Sequence, residues 1–131
     1  MPIHSVKEIC LYTADLADTK TFYHGILGLK IISQAPDRHI FFRIGDQVLL
    51  CFNPEKTRFE KKLPPHFAFG IQHIAFEVSQ EEYEQWKVKL KNKGVKIVHE
   101  QHWKAGLLSF YFHDPSGHLL EIVQPGIWES S

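Results

Sequence analysis

The sequence predicts an α+β fold: paired βαβββ modules forming a curved, mostly antiparallel sheet around a cleft, with the helices outside. Three observations predict it. The same order of signals occurs twice along the chain. Each copy holds one capped helix followed by three strand-like runs. A polar stretch carrying Pro54, Pro64 and Pro65 separates the copies. The modules are expected at about 5–53 and 71–124, with 54–70 as a connector without elements of its own, and 1–131 as a single domain.

The first copy opens on a strand from Glu8 to Thr13. Alternation puts Ile9, Leu11 and Thr13 on one face and Glu8, Cys10 and Tyr12 on the other. Asp15 is a good N-cap for a helix whose apolar residues are Leu16, Phe22, Tyr23, Ile26 and Leu27, and Gly28 closes it. Strands follow at Leu29–Gln34, Ile40–Ile44 and Gln47–Phe52, separated by Ala35-Pro36-Asp37 and by Ile44-Gly45-Asp46.

The second copy opens on His73 to Val78, with Ile74, Phe76 and Val78 on one face and His73, Ala75 and Glu77 on the other. Ser79 with Glu82 three positions on is a capping box, and Tyr83, Trp86 and Leu90 share one helical face before Gly94. Strands are expected at Val95–His99, Leu107–Phe112 and His118–Val123, with Asp114-Pro115-Ser116-Gly117 as a turn. The run Pro125 to Trp128 is expected to cover a sheet edge or a second subunit.

Composition narrows the function classes. The 131 residues carry 15 Lys+Arg against 15 Asp+Glu, so the basic excess that phosphate-binding proteins use is missing and no nucleic acid partner is expected. No apolar run approaches the roughly 20 residues of a membrane span, and the start lacks the basic and apolar regions of a signal peptide. Cys10 and Cys51 stand alone in apolar strand-like runs and read as buried thiols, which fits a reducing, cytoplasmic location. Nine histidines make ligation the question to ask.

Glu8 and His73 occupy equivalent positions in the two copies. If the apolar faces pack under the helices, both side chains point to the other face of the sheet. In the last strand Glu121 alternates with Leu119 and Val123, so this carboxylate sits among apolar neighbours whichever face is inside. Such a group must be paired, hydrogen-bonded, protonated or bound to a metal. No Lys or Arg lies near it in the strand, which makes a metal the economical partner, with a distant Lys or Arg as the alternative.

The runs Leu11 to Leu16 through Phe22-Tyr23 and Leu27-Gly28-Leu29, then His73 to Val78, then Phe110 through Asp114-Pro115-Ser116-Gly117 to Glu121 resemble the vicinal oxygen chelate superfamily. That superfamily includes glyoxalase I, fosfomycin-modifying transferases, extradiol dioxygenases, methylmalonyl-CoA epimerase and bleomycin-binding proteins. The resemblance spans nearly the whole chain. It implies metal ligands at Glu8, His73 and Glu121, and commonly a homodimer in which modules of two chains complete each cleft. A glyoxalase I would hold a further ligand where this chain has Leu49 or Leu50, and dioxygenases and fosfomycin enzymes usually carry His at the Glu8 position. One imidazole with two carboxylates favours Mn²⁺, Zn²⁺, Ni²⁺ or Mg²⁺ as a Lewis acid ahead of Fe²⁺. Two function classes follow: a metal-dependent lyase, isomerase or transferase acting on a small oxygenated substrate, or a metal-free small-molecule binder of the bleomycin-resistance type. An extradiol dioxygenase is the remaining alternative.

Four further residues and one loop are candidates for the site. The Tyr111 hydroxyl either reaches a substrate or is satisfied in the core. Glu77, on the His73 face, is a candidate base or a solvated strand end. His66 lies where the connector can cover the site, although a surface-loop histidine is the simpler reading. Arg43 and the loop Gln101-His102-Trp103-Lys104 are candidates for contacting an anionic substrate, against plain solvation of loop residues.

Overall fold

The computed structural model describes residues 1–129, and the chain divides after Gly70 into two units. Each unit is the βαβββ module that the internal repeat predicts.

In the first unit the strands are β1 (Glu8–Tyr12), β2 (Lys30–Ala35), β3 (His39–Ile44) and β4 (Gln47–Phe52). They form one sheet in the order β1-β4-β3-β2, with β1 parallel to β4 and the other pairs antiparallel. The register stacks Leu11, Cys51 and Ile40 in one row and Ile9, Leu49 and Phe42 in the next. Tyr23 packs on Phe42 with ring centroids 5.6 Å apart, so this is the face the helix covers. Asp15 caps as its residue type dictates, accepting from the Asp18 N–H at 2.9 Å. The helix α1 (Leu16–Lys20) then widens into a π turn over Thr21–Ile26, closed by Leu27 N–H donating to the Phe22 carbonyl at 2.9 Å. The sequence predicts a regular helix here; the wider turn instead buries the neighbouring rings of Phe22 and Tyr23 together.

The expected featureless connector is corrected. Asn53 caps a short helix, α2 (Pro54–Thr57), in which proline takes the first position where its missing N–H costs nothing. Buried Thr57 donates its hydroxyl to the His66 carbonyl. Arg38 grips Glu60 with two bonds of 2.9 Å, the fork geometry that guanidinium and carboxylate share. The connector therefore folds back on the first sheet rather than running free.

The second unit repeats the plan with β5 (His73–Glu77), α3 (Tyr83–Asn92), β6 (His99–His102), β7 (Leu108–His113) and β8 (Leu119–Val123), in the order β5-β8-β7-β6. β5 is parallel to β8 and the other pairs are antiparallel. The capping box forms: Ser79 Oγ donates to Glu82 Oε1 at 2.6 Å and accepts from the Glu82 N–H at 3.2 Å. Tyr83 and Leu90 are fully buried with Phe110, Phe112, Leu120 and Ile122, leaving the opposite face of the sheet open.

The strand predicted at Val95–His99 lies instead at His99–His102. Val95 belongs to the helix end, its N–H bonding the Leu90 carbonyl at 2.9 Å, and pairing with β7 begins only where Val98 N–H meets the Tyr111 carbonyl. The edge strand that results is entirely polar, which suits a position with one unpaired side.

The Asp114 turn ties the two parallel strands together. Asp114 Oδ1 accepts from the N–H groups of Ser116 and His118, each at 2.9 Å, and buried His118 accepts from the Gln72 N–H through Nδ1 at 3.0 Å. Both cysteines are free thiols. Cys51 is buried, and Cys10 is half-buried, its pKa raised by burial and by the Glu8 charge. No helix among the described residues is long and apolar enough to cross a membrane.

Candidate functional site

The open face of the second sheet is a grid fixed by strand register. One row holds His99, Tyr111, Glu121 and Ala75, and its neighbours hold Ser109, Val123 and Glu77 on one side and His113, Leu119 and His73 on the other. A cavity of about 630 Å³ lies over this face. Five residues singled out from sequence line it: His73, Glu77, Trp103, Tyr111 and Glu121.

His73 is held by its backbone neighbour. Its Nδ1 lies 2.8 Å from the Leu119 carbonyl, which can only accept, so the ring hydrogen sits on Nδ1. Nε2 then faces Glu121 Oε1, 3.2 Å away. The carboxylate is 6% exposed at its side chain, while the imidazole is 48% exposed. Glu121 Oε2 is buried without a hydrogen-bond partner. An imidazole nitrogen thus stands against a buried carboxylate whose second oxygen is unsatisfied, donor types that a cation would complete.

Tyr111 stands next to this pair, its ring centroid 6.1 Å from that of His73. Burial first, and then the Glu121 charge, push the phenol pKa up, so the hydroxyl keeps its proton and can donate. Glu77 is exposed at the cavity edge on the same face. Trp103 donates from Nε1 to Oγ of buried Ser109 at 2.9 Å, which fixes the indole.

Glu8, Arg43 and His66 belong to the first unit. Glu8 and Arg43 are exposed on the open face of its sheet, both in the row of Val48. His66 is part of an aromatic group on that face, 5.1 Å from the Phe52 ring, with Nδ1 donating to the Pro64 carbonyl. Among the described residues no three His, Cys, Asp or Glu side chains gather closely enough to hold a metal ion. The repeat equivalence resolves one choice left open by sequence: Cys10 pairs with Leu50 as Ala75 pairs with Glu121, so the position matching Glu121 holds Leu50.

Sequence reasoning gave no site role to four residues at or beside the cavity. Ile127 and Trp128 line it from the C-terminal turn, where no periodicity marks a face. Ser109 acts through Trp103, and His99 lies beside Tyr111 with centroids 5.8 Å apart. The expected strand ends at His99, so the pairing of that residue with Tyr111 did not show in the sequence.

The relatives of the chain agree with this architecture. Glutathione transferase FosA of Serratia marcescens is 31% identical over 120 residues, covering 92% of this chain and 80% of that protein. A metallothiol transferase FosB of Staphylococcus saprophyticus is 27% identical over 121 residues, covering 92% and 76%. The crystal structure of a lactoylglutathione lyase from Agrobacterium tumefaciens superposes with a TM-score of 0.94 at 28% identity, covering 98% of this chain and 99% of that one. The family model of the Glyoxalase/Bleomycin resistance protein/Dioxygenase superfamily matches residues 5–122, and the chain belongs to that superfamily.

Proposed function

We propose that this protein is a divalent-metal-dependent enzyme of the lyase, isomerase or transferase type, acting on a small oxygenated substrate, with His73, Glu121 and Glu8 as the metal ligands. One observation carries the reading: Nε2 of His73 faces a buried Glu121 carboxylate whose second oxygen has no partner, while Nδ1 is committed to the Leu119 carbonyl. Ligating histidines characteristically donate their other ring N–H to such an acceptor. The donor set therefore fits a divalent cation. Bound there, the ion would polarise the substrate oxygens as a Lewis acid. The identity of the ion follows the ligand hardness: Mn²⁺, Zn²⁺, Ni²⁺ or Mg²⁺ before Fe²⁺.

The chain's own residues supply the rest. Tyr111, its proton held by burial and by Glu121, donates a hydrogen bond to a substrate oxygen. Glu77, exposed at the cavity edge, takes up a proton from the substrate. Relatives named as a glutathione transferase, metallothiol transferases and a lactoylglutathione lyase support an enzyme. Glu8 reaches the centre from a second copy of the chain, which makes the working form a homodimer.

The experiment is metal analysis of protein purified without an affinity tag or added metal. One divalent ion per chain, lost on Glu121→Ala, is expected. No stoichiometric ion, and no change on Glu121→Ala, would overturn the reading. It would favour the metal-free binding alternative, which has its own support in the fact that the described residues of one chain gather only two ligands at this point.

A further inference from the structure

Phe59 and Phe69 are 70% and 76% exposed, and Leu63 between them is 55% exposed, although residues of these types ordinarily form the core of a protein. All three lie in the connector after α2. We propose that the aromatic cluster of Phe59, Phe67 and Phe69 around Arg58 is the surface on which a second copy of the chain docks, and that this docking carries Glu8 to the metal centre of that copy. The inference deepens the proposed homodimer and rests on that reading for the place of Glu8.

The cluster is held in shape. The guanidinium carbon of Arg58 lies 4.2 Å from the ring centroid of Phe67, 5.2 Å from that of Phe59 and 5.8 Å from that of Phe69. Phe67 and Phe69 meet edge to face with centroids 4.7 Å apart. One cation therefore gathers three rings. The backbone beneath them is tied down twice, by the Thr57 hydroxyl on the His66 carbonyl and by the Arg38 fork on Glu60. Rings exposed only because their loop is loose would have no such post. A surface already fixed in shape binds with little ordering cost.

Size and position name the occupant. The exposed parts of Phe59, Leu63 and Phe69 come to roughly 400 Å², in the range of the patches that proteins keep for partners. A stable pair buries about 800 Å² on each side, so these residues supply about half of one interface. The other half adjoins them. His66, next to Phe67 in the chain, packs on Phe52, and Phe52 meets Tyr12, His39 and Phe41 on the open face of the first sheet. That face also carries Glu8, and the proposed metal centre requires it to meet a second copy. A lipid surface would take up the rings and leave that face in water.

The cluster and Glu8 belong to the same unit, so whatever seats the one positions the other. A single carboxylate cannot hold two chains together, because exposed charges contribute little and apolar anchors carry most of the energy of an interface. Delivery of Glu8 to a second copy therefore needs an apolar anchor in its own unit, and the rings around Arg58 provide one.

Sedimentation velocity on the full-length protein reads the association. The wild type should run as a dimer at micromolar concentration, and Phe59→Asp combined with Phe69→Asp should weaken the dimer at least tenfold with an unchanged circular dichroism spectrum. Cross-linking needs no substitution: a lysine-reactive reagent on mixed isotope-labelled and unlabelled wild-type chains should give inter-chain links from Lys61 or Lys62, which lie in the same connector. A double variant that dimerises as the wild type does, or inter-chain links that avoid both lysines, overturns the inference. A wild type that stays monomeric overturns it too, whether or not it sediments with phosphatidylserine vesicles. Mn²⁺ binding separates the two readings. A monomeric double variant that holds Mn²⁺ at least tenfold more weakly supports both the docking surface and the delivery of Glu8. Unchanged Mn²⁺ affinity in that monomer removes the delivery of Glu8 and keeps the surface, and a dimer that takes up no metal keeps the surface while removing the metal centre.

Discussion

The Tyr83 hydroxyl donates to Glu100 Oε2 at 2.8 Å, and Lys87 Nζ donates to the same oxygen, which staples the helix to the edge strand of the second sheet. The Lys87 bond, working against burial, holds the Glu100 carboxyl below the usual carboxylate range. A folded pKa below the unfolded one stabilises the native state above the unfolded value and loses that stability as pH falls through the folded value. Resistance to urea should therefore drop as pH falls below about 4. Glu100→Gln should flatten that part of the profile, at a neutral-pH cost of about 1–2 kcal/mol for a pair that is only partly buried.

Thr13 is fully buried, and its hydroxyl has no partner, on the face that alternation assigns to the core. Thr13→Val removes an unsatisfied oxygen at nearly constant volume. The protein should gain about 1 kcal/mol, read as a higher urea midpoint with an unchanged slope.

Glu121 presents the same chemistry, and the proposed metal centre gives it a functional reason. Glu121→Gln should raise or leave unchanged the melting temperature of metal-free protein, because a buried, half-satisfied carboxylate becomes neutral. Wild-type protein at a metal concentration 100 times Kd should gain about 2.7 kcal/mol from binding, and the variant should gain none. Calorimetric scans with and without metal give both numbers.

The proposed ligand set, completed across two chains, makes a complementation prediction. Glu8→Ala and Glu121→Ala homodimers should each fail to hold the ion. Subunits mixed and re-equilibrated should recover one site in the heterodimers, seen as metal retained after desalting. Recovery above a few per cent of wild type is the expected outcome, and none at all would place the third ligand within one chain or nowhere.

Much of this protein was legible in its residues, and the reasons are local. Asp15, the Ser79 and Glu82 pair, and the glycines that end each helix punctuate both modules, and strict alternation put His73, Glu77, Tyr111 and Glu121 on one open face. The failures came where local pattern was outweighed. Val95 and Ile97 look like a strand, but the helix end claims Val95 through its bond to Leu90, and the true edge strand has no apolar residue to advertise it. The π turn after Lys20 obeys packing of Phe22 and Tyr23 rather than a 3.6-residue period. Trp128 lies in an irregular turn, where its neighbours are set by Gly126 and Leu107 and not by any sequence period. His118 carries no outward sign that its ring serves the backbone of Gln72 rather than a ligand.

The pairing of Leu50 with Cys10, matching that of Glu121 with Ala75, means that the repeat has broken its own symmetry at one grid point. An ancestral chain with identical halves would have had no preferred copy. Here one copy keeps hydrocarbon where the other keeps an acid, so drift in the two halves is judged by different criteria. At that grid point a substitution in the first sheet alters apolar packing, while one in the second alters a buried carboxylate.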